Sequence, residues 1–315
     1  TLILSKFGST NSISDEKDKH TPPFSKEADY FIPERNNINK NLYELILDTK
    51  DLKKWVKKIS KFGLVSIDCE TTSLNAVEAN IVGFSMSLEN SESCYVPLNH
   101  SNLDSQVNLD EFKLLIKPIL EDHSILKIGQ NIKYDFIILK KLGIEIKNMD
   151  DTMLMSYVLR TGQRGHGLDE LSLDYLSHNT IKYSEVTVVD KKKVQFSEVP
   201  INKAKDYAAE DADITFRLWE ILKPLLIKAK LYDFYFYIER PLIKVIADME
   251  ISGCKIDNLR LKMLSKEFSE KILIIENDIY KISDENFNIG SPKQLGEVLF
   301  DKLKLPHGKK GKSGN

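Results

Sequence analysis

The chain has 315 residues, of which 42% are hydrophobic and 29% are charged, and its formal net charge is -2. These values fit a globular protein with room for two domains. They exclude a strongly basic overall charge of the kind that attracts nucleic acid. A local basic groove remains compatible with them, because net charge averages the charges of all faces of a protein. Three cysteines without close pairing or metal-type spacing exclude a disulfide framework and indicate a reducing compartment, and no apolar run reaches the roughly 18 residues of a membrane-spanning helix.

The first 40 residues are predicted to form a linker. They are polar, carry charges of both signs and lack periodicity. A short docking peptide is the functional alternative for this segment. The chain begins at Thr1 rather than Met and has no apolar segment with a basic flank. We therefore expect a fragment of a longer protein or a processed product.

Residues 41–228 alternate between short apolar runs and amphipathic segments. Strands are predicted at 43–47, 64–72, 81–88, 93–98 and 125–129, with a further short segment at 144–149. Helices are predicted from Thr49, as N-cap, and at 109–120, 132–142, 151–159, 168–176 and 203–228, while 178–198 is predicted to be irregular. Tight connections between the second, third and fourth strands indicate an antiparallel meander. The whole pattern predicts an α/β fold with a mixed sheet flanked by helices.

The character of the sequence changes near residue 229. Long helices are predicted at 234–251, 258–282 and 291–303, with few strands between them. We therefore expect a first domain at 41–228 and an all-helical second domain at 229–315.

Two carboxylates stand two residues apart at the end of the strand that begins at residue 64. Side chains alternate along a strand, so Asp68 and Glu70 should share one face while Cys69 points to the other, into the core. Neighbouring acids repel each other and lose hydration when buried, so a cation should compensate them. A divalent metal is the leading candidate, and a solvated acidic turn is the structural alternative.

A second candidate group lies where the helix at 132–142 begins. Asn131 is expected to cap this helix, which is a sufficient structural role for it. Asp135 lies beside a buried face, where an acid needs a partner.

A third group lies on the long helix at 203–228. Tyr207 and Asp211 are four residues apart and therefore lie on one helical face, and the alanines between them leave a slim surface. The alternative is an acidic helix face with a packed tyrosine, and we assign Glu210 and Asp213 to such a solvated face.

The three groups together supply four carboxylates and a tyrosine from separate elements. Four acids in one cleft match the needs of a site for two metal ions, which stabilise the attacking and leaving oxygens of phosphoryl displacement. Oxygen-only ligands favour Mg²⁺ or Mn²⁺ over zinc.

These motifs carry a family resemblance. The segments DCETTSL (68–74), NIKYD (131–135) and Tyr207-x-x-x-Asp211 resemble the three motifs of the DEDDy 3′–5′ exonucleases. Within that group the chain is most similar to the bacterial family A DNA polymerases, also through IGQN (128–131), DTML (151–154) and residues 238–257. The resemblance extends from about residue 41 to the end. It implies a ribonuclease H-like exonuclease domain followed by the start of a helical polymerase domain.

The resemblance also implies roles for individual residues. The metal ligands would be Asp68, Glu70, Asp135 and Asp211, and Tyr207 would orient the attacking water; these five would be the catalytic residues. The single-stranded 3′ end would contact Thr71, Leu74, Asn131 and Tyr183. Tyr183 stands where the family can carry Phe, so base stacking would be preserved, and an ordinary loop aromatic is the equal alternative.

The implied activity is proofreading removal of 3′-terminal nucleotides from DNA as nucleoside 5′-monophosphates, with two Mg²⁺ or Mn²⁺ ions. The implied substrates are single-stranded 3′ ends and frayed primer–template DNA, and we expect a monomer in the bacterial cytoplasm, near the nucleoid, without a membrane. The acids for DNA synthesis lie in a part of the family that this sequence does not contain, so we expect no primer extension. A ribonuclease D-like RNA-trimming enzyme and a catalytically silent module that binds single-stranded DNA are the alternatives.

Two basic segments receive structural interpretations. Residues 306–315 lack the glycine spacing of a phosphate-binding loop. The family resemblance implies instead a mobile basic loop near the tip of the thumb that tracks duplex backbone. Lys191, Lys192 and Lys193 are interpreted as a solvated loop, and contact with DNA phosphates is the lesser alternative.

Overall fold

The computed structural model describes residues 38–89, 91–101, 105–189 and 191–306. The predicted linker lies almost entirely outside these residues, as does most of the basic segment at 306–315. The described part divides by its internal contacts into one compact unit that ends at Ser252 and a second unit that begins at Gly253. Each unit is described by itself.

A six-stranded mixed sheet forms the centre of the first unit, with strand order β1-β4-β3-β2-β5-β6. The strands are β1 (Glu44–Leu45), β2 (Leu64–Thr71), β3 (Ile81–Ser87), β4 (Ser93–Pro97), β5 (Leu126–Gly129) and β6 (Met149–Asp151). Strands β2, β3 and β4 pair antiparallel, as the predicted meander requires, whereas β1, β5 and β6 join in parallel. The predicted α/β class is confirmed, and β2 is an inner strand of the sheet.

Helices flank this sheet. They are α1 (Thr49–Phe62), α2 (Leu109–Leu120), α3 (Lys133–Lys141), α4 (Thr152–Leu159), α5 (Leu168–Leu171, continued by a π-helix Ser172–Leu176), α6 (Tyr183–Val186), α7 (Ile201–Lys228), α8 (Tyr232–Phe234, continued by a π-helix Tyr235–Glu239) and α9 (Arg240–Ser252). The predicted cap of α1 is wrong by one residue, because the Asp48 carboxylate accepts the Asp51 N–H at 2.9 Å and Thr49 is already helical.

Helix α7 positions the functional site. It has 28 residues and packs across β2, β3 and β4. Its alanines Ala208, Ala209 and Ala212 are fully buried, and the Ser66 hydroxyl of β2 donates to the Ala212 carbonyl at 2.6 Å. Small side chains let the helix backbone approach the strand this closely. The slim surface expected from the sequence therefore faces the sheet.

The segment predicted to be irregular, 178–198, contains short elements. After α6, strands β7 (Val188–Val189) and β8 (Lys192–Lys193) form an antiparallel hairpin, and a 3-10 turn follows at Phe196–Glu198. Val186 and Phe196 are buried in one apolar cluster with Ala204 and Ala208 of α7. This cluster fixes the segment against the helix that carries Tyr207 and Asp211.

The second unit is helical, as predicted. It contains α10 (Asn258–Ser283) and α11 (Pro292–Gly296), which a π-helix Glu297–Lys302 continues. The division at Ser252 lies beyond the predicted boundary near 229, because Ile243 and Ala247 of α9 are buried in the core of the first unit. Within the described residues, no helix combines the length and apolar character needed to cross a membrane.

Candidate active site

The end of β2 brings two carboxylates to one face of the sheet. Asp68 lies opposite Ser85 and Glu70 lies opposite Gly83 on β3, and the register shifts between Glu70 and Thr71. Asp68 is half-buried and Glu70 is only 7% exposed. The intervening Cys69 is buried in the apolar core, as the alternation along the strand predicts.

Helix α7 adds the third acid. Carboxylate oxygens of Asp68, Glu70 and Asp211 all lie within 4.8 Å of one another. Tyr207 lies one helical turn before Asp211 on α7, and both side chains line the same cavity. The strand end and the helix face predicted from the sequence therefore meet.

Asp135 approaches the same place from α3. It is 2% exposed, and its Oδ1 accepts the backbone N–H of Cys69 at 2.8 Å. It lines the same cavity as the three clustered acids but does not belong to the group whose oxygens lie within 4.8 Å. The buried partner expected for Asp135 is thus the backbone of β2, between the two acids of that strand.

The capping role predicted for Asn131 is wrong. Helix α3 begins at Lys133 after Ile132, which provides no side-chain cap. Asn131 adopts a left-handed backbone conformation with φ of 57°, which asparagine tolerates better than most residues. The N–H groups of Asn131 and Ile132 donate to the Asp151 carboxylate, at 3.2 and 3.0 Å.

Asp151 has a positioning role that sequence reasoning missed. Its Oδ1 also accepts the N–H of Met153 at 2.8 Å, so one carboxylate holds the starts of both α3 and α4. It is 1% exposed. An acid at the first position of the helix predicted at 151–159 is the available signal, but it indicates only a cap, and the bonds to the Asn131 turn depend on the fold.

The acids of the site have raised pKa values. Loss of hydration raises the pKa of Asp68 to about 6. Burial, followed by the negative charge of Asp68, holds the pKa of Glu70, Asp135 and Asp211 well above the usual range of carboxyl groups. Burial and the charge of Asp211 also raise the pKa of Tyr207, which therefore stays a protonated phenol.

The donor set fits a hard divalent cation. Within the described residues, no lysine, arginine or histidine forms an ion pair with Asp68, Glu70, Asp135 or Asp211. Glu70 Oε1 is buried and has no hydrogen-bond partner there. Buried acids without a cation are costly, and carboxylate oxygens are the ligands that magnesium and manganese prefer.

A cavity of about 940 Å³ opens over these acids, and the four other predicted site residues, Thr71, Leu74, Asn131 and Tyr183, all line it. Leu74 is 98% exposed. The Tyr183 ring is half exposed and stacks on Phe196, with ring centroids 6.2 Å apart and planes 12° apart. The structure therefore brings together every residue predicted for the site.

The solvated acidic face predicted for Glu210 and Asp213 is wrong, because both side chains are fully buried. Glu210 lies 2.9 Å from Lys40 Nζ and 2.8 Å from His178 Nε2. Asp213 accepts from Arg217 Nε at 2.8 Å and from the Tyr43 hydroxyl at 3.0 Å. These two acids hold distant segments against α7 and do not face the cavity.

The sheet, helices and acids define the fold of the ribonuclease H-like 3′–5′ exonucleases. Residues 43–227 match the family model described as 3′-5′ exonuclease, and residues 258–315 match that of DNA polymerase family A. The chain belongs to the 3′–5′ exonuclease family of the family A DNA polymerases. The resemblance inferred from the three motifs is thereby confirmed.

Curated relatives and solved structures agree with this assignment. DNA polymerase I of Rhizobium leguminosarum is 43% identical over 86% of this chain, which spans 29% of that protein. The POL domain of Pol1 from M. smegmatis, in complex with DNA primer-template and dNTP, matches with a TM-score of 0.72 and 22% identity, over 86% of this chain and 43% of that one. NrnC of Brucella melitensis matches with a TM-score of 0.51 and 19% identity, over 67% and 92%. At these identities the two structures show the fold alone.

Proposed function

We propose that this chain is a 3′–5′ exonuclease that removes 3′-terminal nucleotides from DNA as nucleoside 5′-monophosphates. Residues 41–228 would form the nuclease and residues 229–315 the start of a polymerase domain. The observation that carries the proposal is the cluster of three acids within 4.8 Å, with which no lysine, arginine or histidine of the described residues forms an ion pair. The chain spans less than a third of its first curated relative, so activity and substrate are proposals about this chain.

Asp68, Glu70, Asp135 and Asp211 would hold two Mg²⁺ or Mn²⁺ ions. Divalent ions, when bound, lower the pKa of water and stabilise the charge of a leaving oxygen in phosphoryl displacement. The unpartnered Glu70 Oε1 supports a role as ligand. Asp135 is held by the Cys69 N–H and would act from the next position along the cavity.

The reaction joins one water to the terminal phosphodiester. The water oxygen forms a bond to phosphorus, the bond from phosphorus to the O3′ of the penultimate nucleotide breaks, and that O3′ takes up a proton. Tyr207 stays protonated beside Asp211, so its hydroxyl can orient the water but cannot accept its proton. The products are a 5′-monophosphate and a strand with a new 3′-hydroxyl.

The residues at the mouth of the cavity would hold the strand. Tyr183 offers a half-exposed ring and Leu74 an exposed apolar side chain, which suit stacking and wedging between bases. The Thr71 hydroxyl is tied to the Tyr134 hydroxyl and to the Ser73 carbonyl at 3.2 Å. Asn131, at its strained turn, would contact the terminal nucleotide. These contacts suit a single-stranded 3′ end or a frayed primer terminus, bound by a monomer in the bacterial cytoplasm.

Digestion of a 5′-labelled single strand tests this function. We expect the chain to shorten the strand stepwise from its 3′ end with Mg²⁺ and not with a chelator. Asp211→Ala should abolish the ladder while the variant stays folded by circular dichroism. Activity that survives in Asp211→Ala, or an inactive wild type that still binds the strand, would overturn the proposal, and the second result would favour a silent binding module. Faster digestion of RNA than DNA would favour the ribonuclease D-like alternative.

A further inference from the structure

The basic run at 191–193 is exposed, as predicted, but Lys192 and Lys193 form the second strand of a hairpin rather than part of a loop. Lys193 lies opposite Val188 and Lys192 opposite Val189, and the Val194 N–H donates to the Thr187 carbonyl at 2.9 Å. Successive side chains of a strand point to opposite faces. Of these two lysines, Lys193 lines the active-site cavity and Lys192 does not.

The hairpin has a fixed place beside the catalytic groups. Phe196, three residues after Lys193, is 1% exposed, and its ring lies 5.9 Å from that of Tyr207. The Tyr183 ring, just before the hairpin, stacks on the Phe196 ring. It also meets the Tyr207 ring edge-on, with the ring centroids 6.1 Å apart. The two ends of the hairpin are therefore packed against the residues that face the substrate.

The charges of the cavity are unequal. Its lining contains the four carboxylates of the site and, among the described residues, a single cation, Lys193. Lys193 is exposed and forms no ion pair within the part of the chain that the structure describes. A polyanionic strand that enters this cavity meets repulsion from the carboxylates, which a cation on the wall would offset.

We propose that Lys193 binds a phosphodiester of the substrate strand, upstream of the bond that is cleaved. The inference rests on the proposed nuclease function and adds a residue that reads backbone charge, not base identity. An ammonium group contacts phosphate as a point charge, so the contact strengthens binding without selecting sequence. Lys192, on the opposite face of the same strand, is a matched control because it has the same charge and is also exposed.

Salt dependence is the first test. Steady-state digestion of a labelled oligothymidylate is measured over a range of KCl concentrations for the wild type, Lys193→Ala, Lys193→Arg and Lys192→Ala. We expect Lys193→Ala to raise KM roughly 3- to 10-fold at low salt, with kcat nearly unchanged. Its plot of log kcat/KM against log salt should be shallower by about 0.7, the value for one phosphate contact on a single strand. Lys193→Arg should restore the slope, and Lys192→Ala should match the wild type.

A neutral-linkage scan locates the contact. A set of strands is prepared, each with one neutral methylphosphonate at a different position from the 3′ end. At one of these positions the neutral linkage should raise the KM of the wild type but should not raise the KM of Lys193→Ala any further. An unchanged slope in Lys193→Ala, or the same slope change in Lys192→Ala, would overturn the inference while leaving an active nuclease. A wild type that degrades no strand would overturn the proposed function together with this inference.

Discussion

Three acids on the same turns of α7 belong to two sets with opposite surroundings: Glu210 and Asp213 form one set, and Asp211 forms the other with Asp68 and Glu70 of β2. Glu210 and Asp213 are fully buried, and each touches cations of the chain, Lys40 for the first and Arg217 for the second. Asp211 lies between them in sequence but faces Asp68 and Glu70 of β2, and no described residue forms an ion pair with these three acids. Neighbouring carboxylates on one helix therefore serve two different purposes.

The difference indicates how to separate structural from functional acids. An acid whose charge is balanced by the chain contributes to the fold, since removal of one partner leaves an unpaired buried charge. An acid whose charge is unbalanced costs stability unless something outside the chain binds to it. The unbalanced set is the one that lines the open cavity. Charge balance, rather than burial alone, distinguishes the two sets.

The largest expected effect is on folding stability. Asp213→Ala removes the partner of Arg217 and of the Tyr43 hydroxyl, and we expect it to lower the free energy of unfolding by roughly 3–5 kcal/mol. Asp211→Ala relieves repulsion and should not lower that free energy when a chelator is present. Urea denaturation in a chelator compares the two variants. Equal losses in both would contradict the distinction between the two sets.

The next effect concerns pH and metal together. The pKa of Asp68 rises from 3.8 to about 6 in the folded chain, so without an ion the folded state retains a proton that the unfolded state has lost. The free energy of unfolding should then fall as pH rises through this window. A bound ion replaces the proton, so stabilisation by Mg²⁺ should increase from pH 5 to pH 7. Where the ion is present at 100 times its Kd, the total stabilisation is about 2.7 kcal/mol.

Thermal melts with Mg²⁺ and with chelator, taken across that pH range, check this expectation. Asp211→Asn is the matched control, and its Mg²⁺-dependent shift should be small at every pH. A shift that decreases with rising pH in the wild type would argue against carboxylates as the ligands.

A smaller effect is expected at the mouth of the cavity, in residues that belong to neither set of acids. Tyr183→Ala removes a ring on which a base can stack. We expect KM for single strands to rise, because roughly 1–3 kcal/mol of binding free energy is lost. Tyr183→Phe keeps the ring and should retain the wild-type KM. A wild-type KM in Tyr183→Ala as well would make Tyr183 an ordinary packed aromatic at the start of α6.

The smallest effect is expected between the two acids of β2. Cys69 is packed in the apolar core cluster, so Cys69→Val should change the free energy of unfolding by less than about 1.5 kcal/mol. The kcat of this variant should equal that of the wild type, and Cys69→Thr should also be active. A large loss of kcat at wild-type stability would place the thiol in the chemistry.

The sequence predicts the local parts of this site well and the long-range parts poorly. Strand alternation predicts the shared face of Asp68 and Glu70, and helical spacing predicts that of Tyr207 and Asp211, because both depend on one element. The burial of Glu210 depends on Lys40 and His178, which periodicity cannot connect to it.

The turn at Asn131 and the hairpin at Lys193 show the same limit of sequence-based prediction. Asn131 was expected to be a cap, but its left-handed conformation depends on Asp151, twenty residues further along the chain. The face of Lys193 depends on the register of a hairpin with two residues in each strand. A shift of one residue would turn this side chain away from the cavity, and no composition signal specifies such a register.

Metal binding by matched variants tests the central distinction most directly. Free Mn²⁺ is measured by electron paramagnetic resonance during titration of the wild type, Asp211→Asn and Asp213→Asn, each shown to be folded. We expect the wild type and Asp213→Asn to bind Mn²⁺ with the same affinity and Asp211→Asn to lose binding. Undiminished binding by Asp211→Asn, or loss of binding by a folded Asp213→Asn, would contradict the assignment of the unbalanced acids as the metal site.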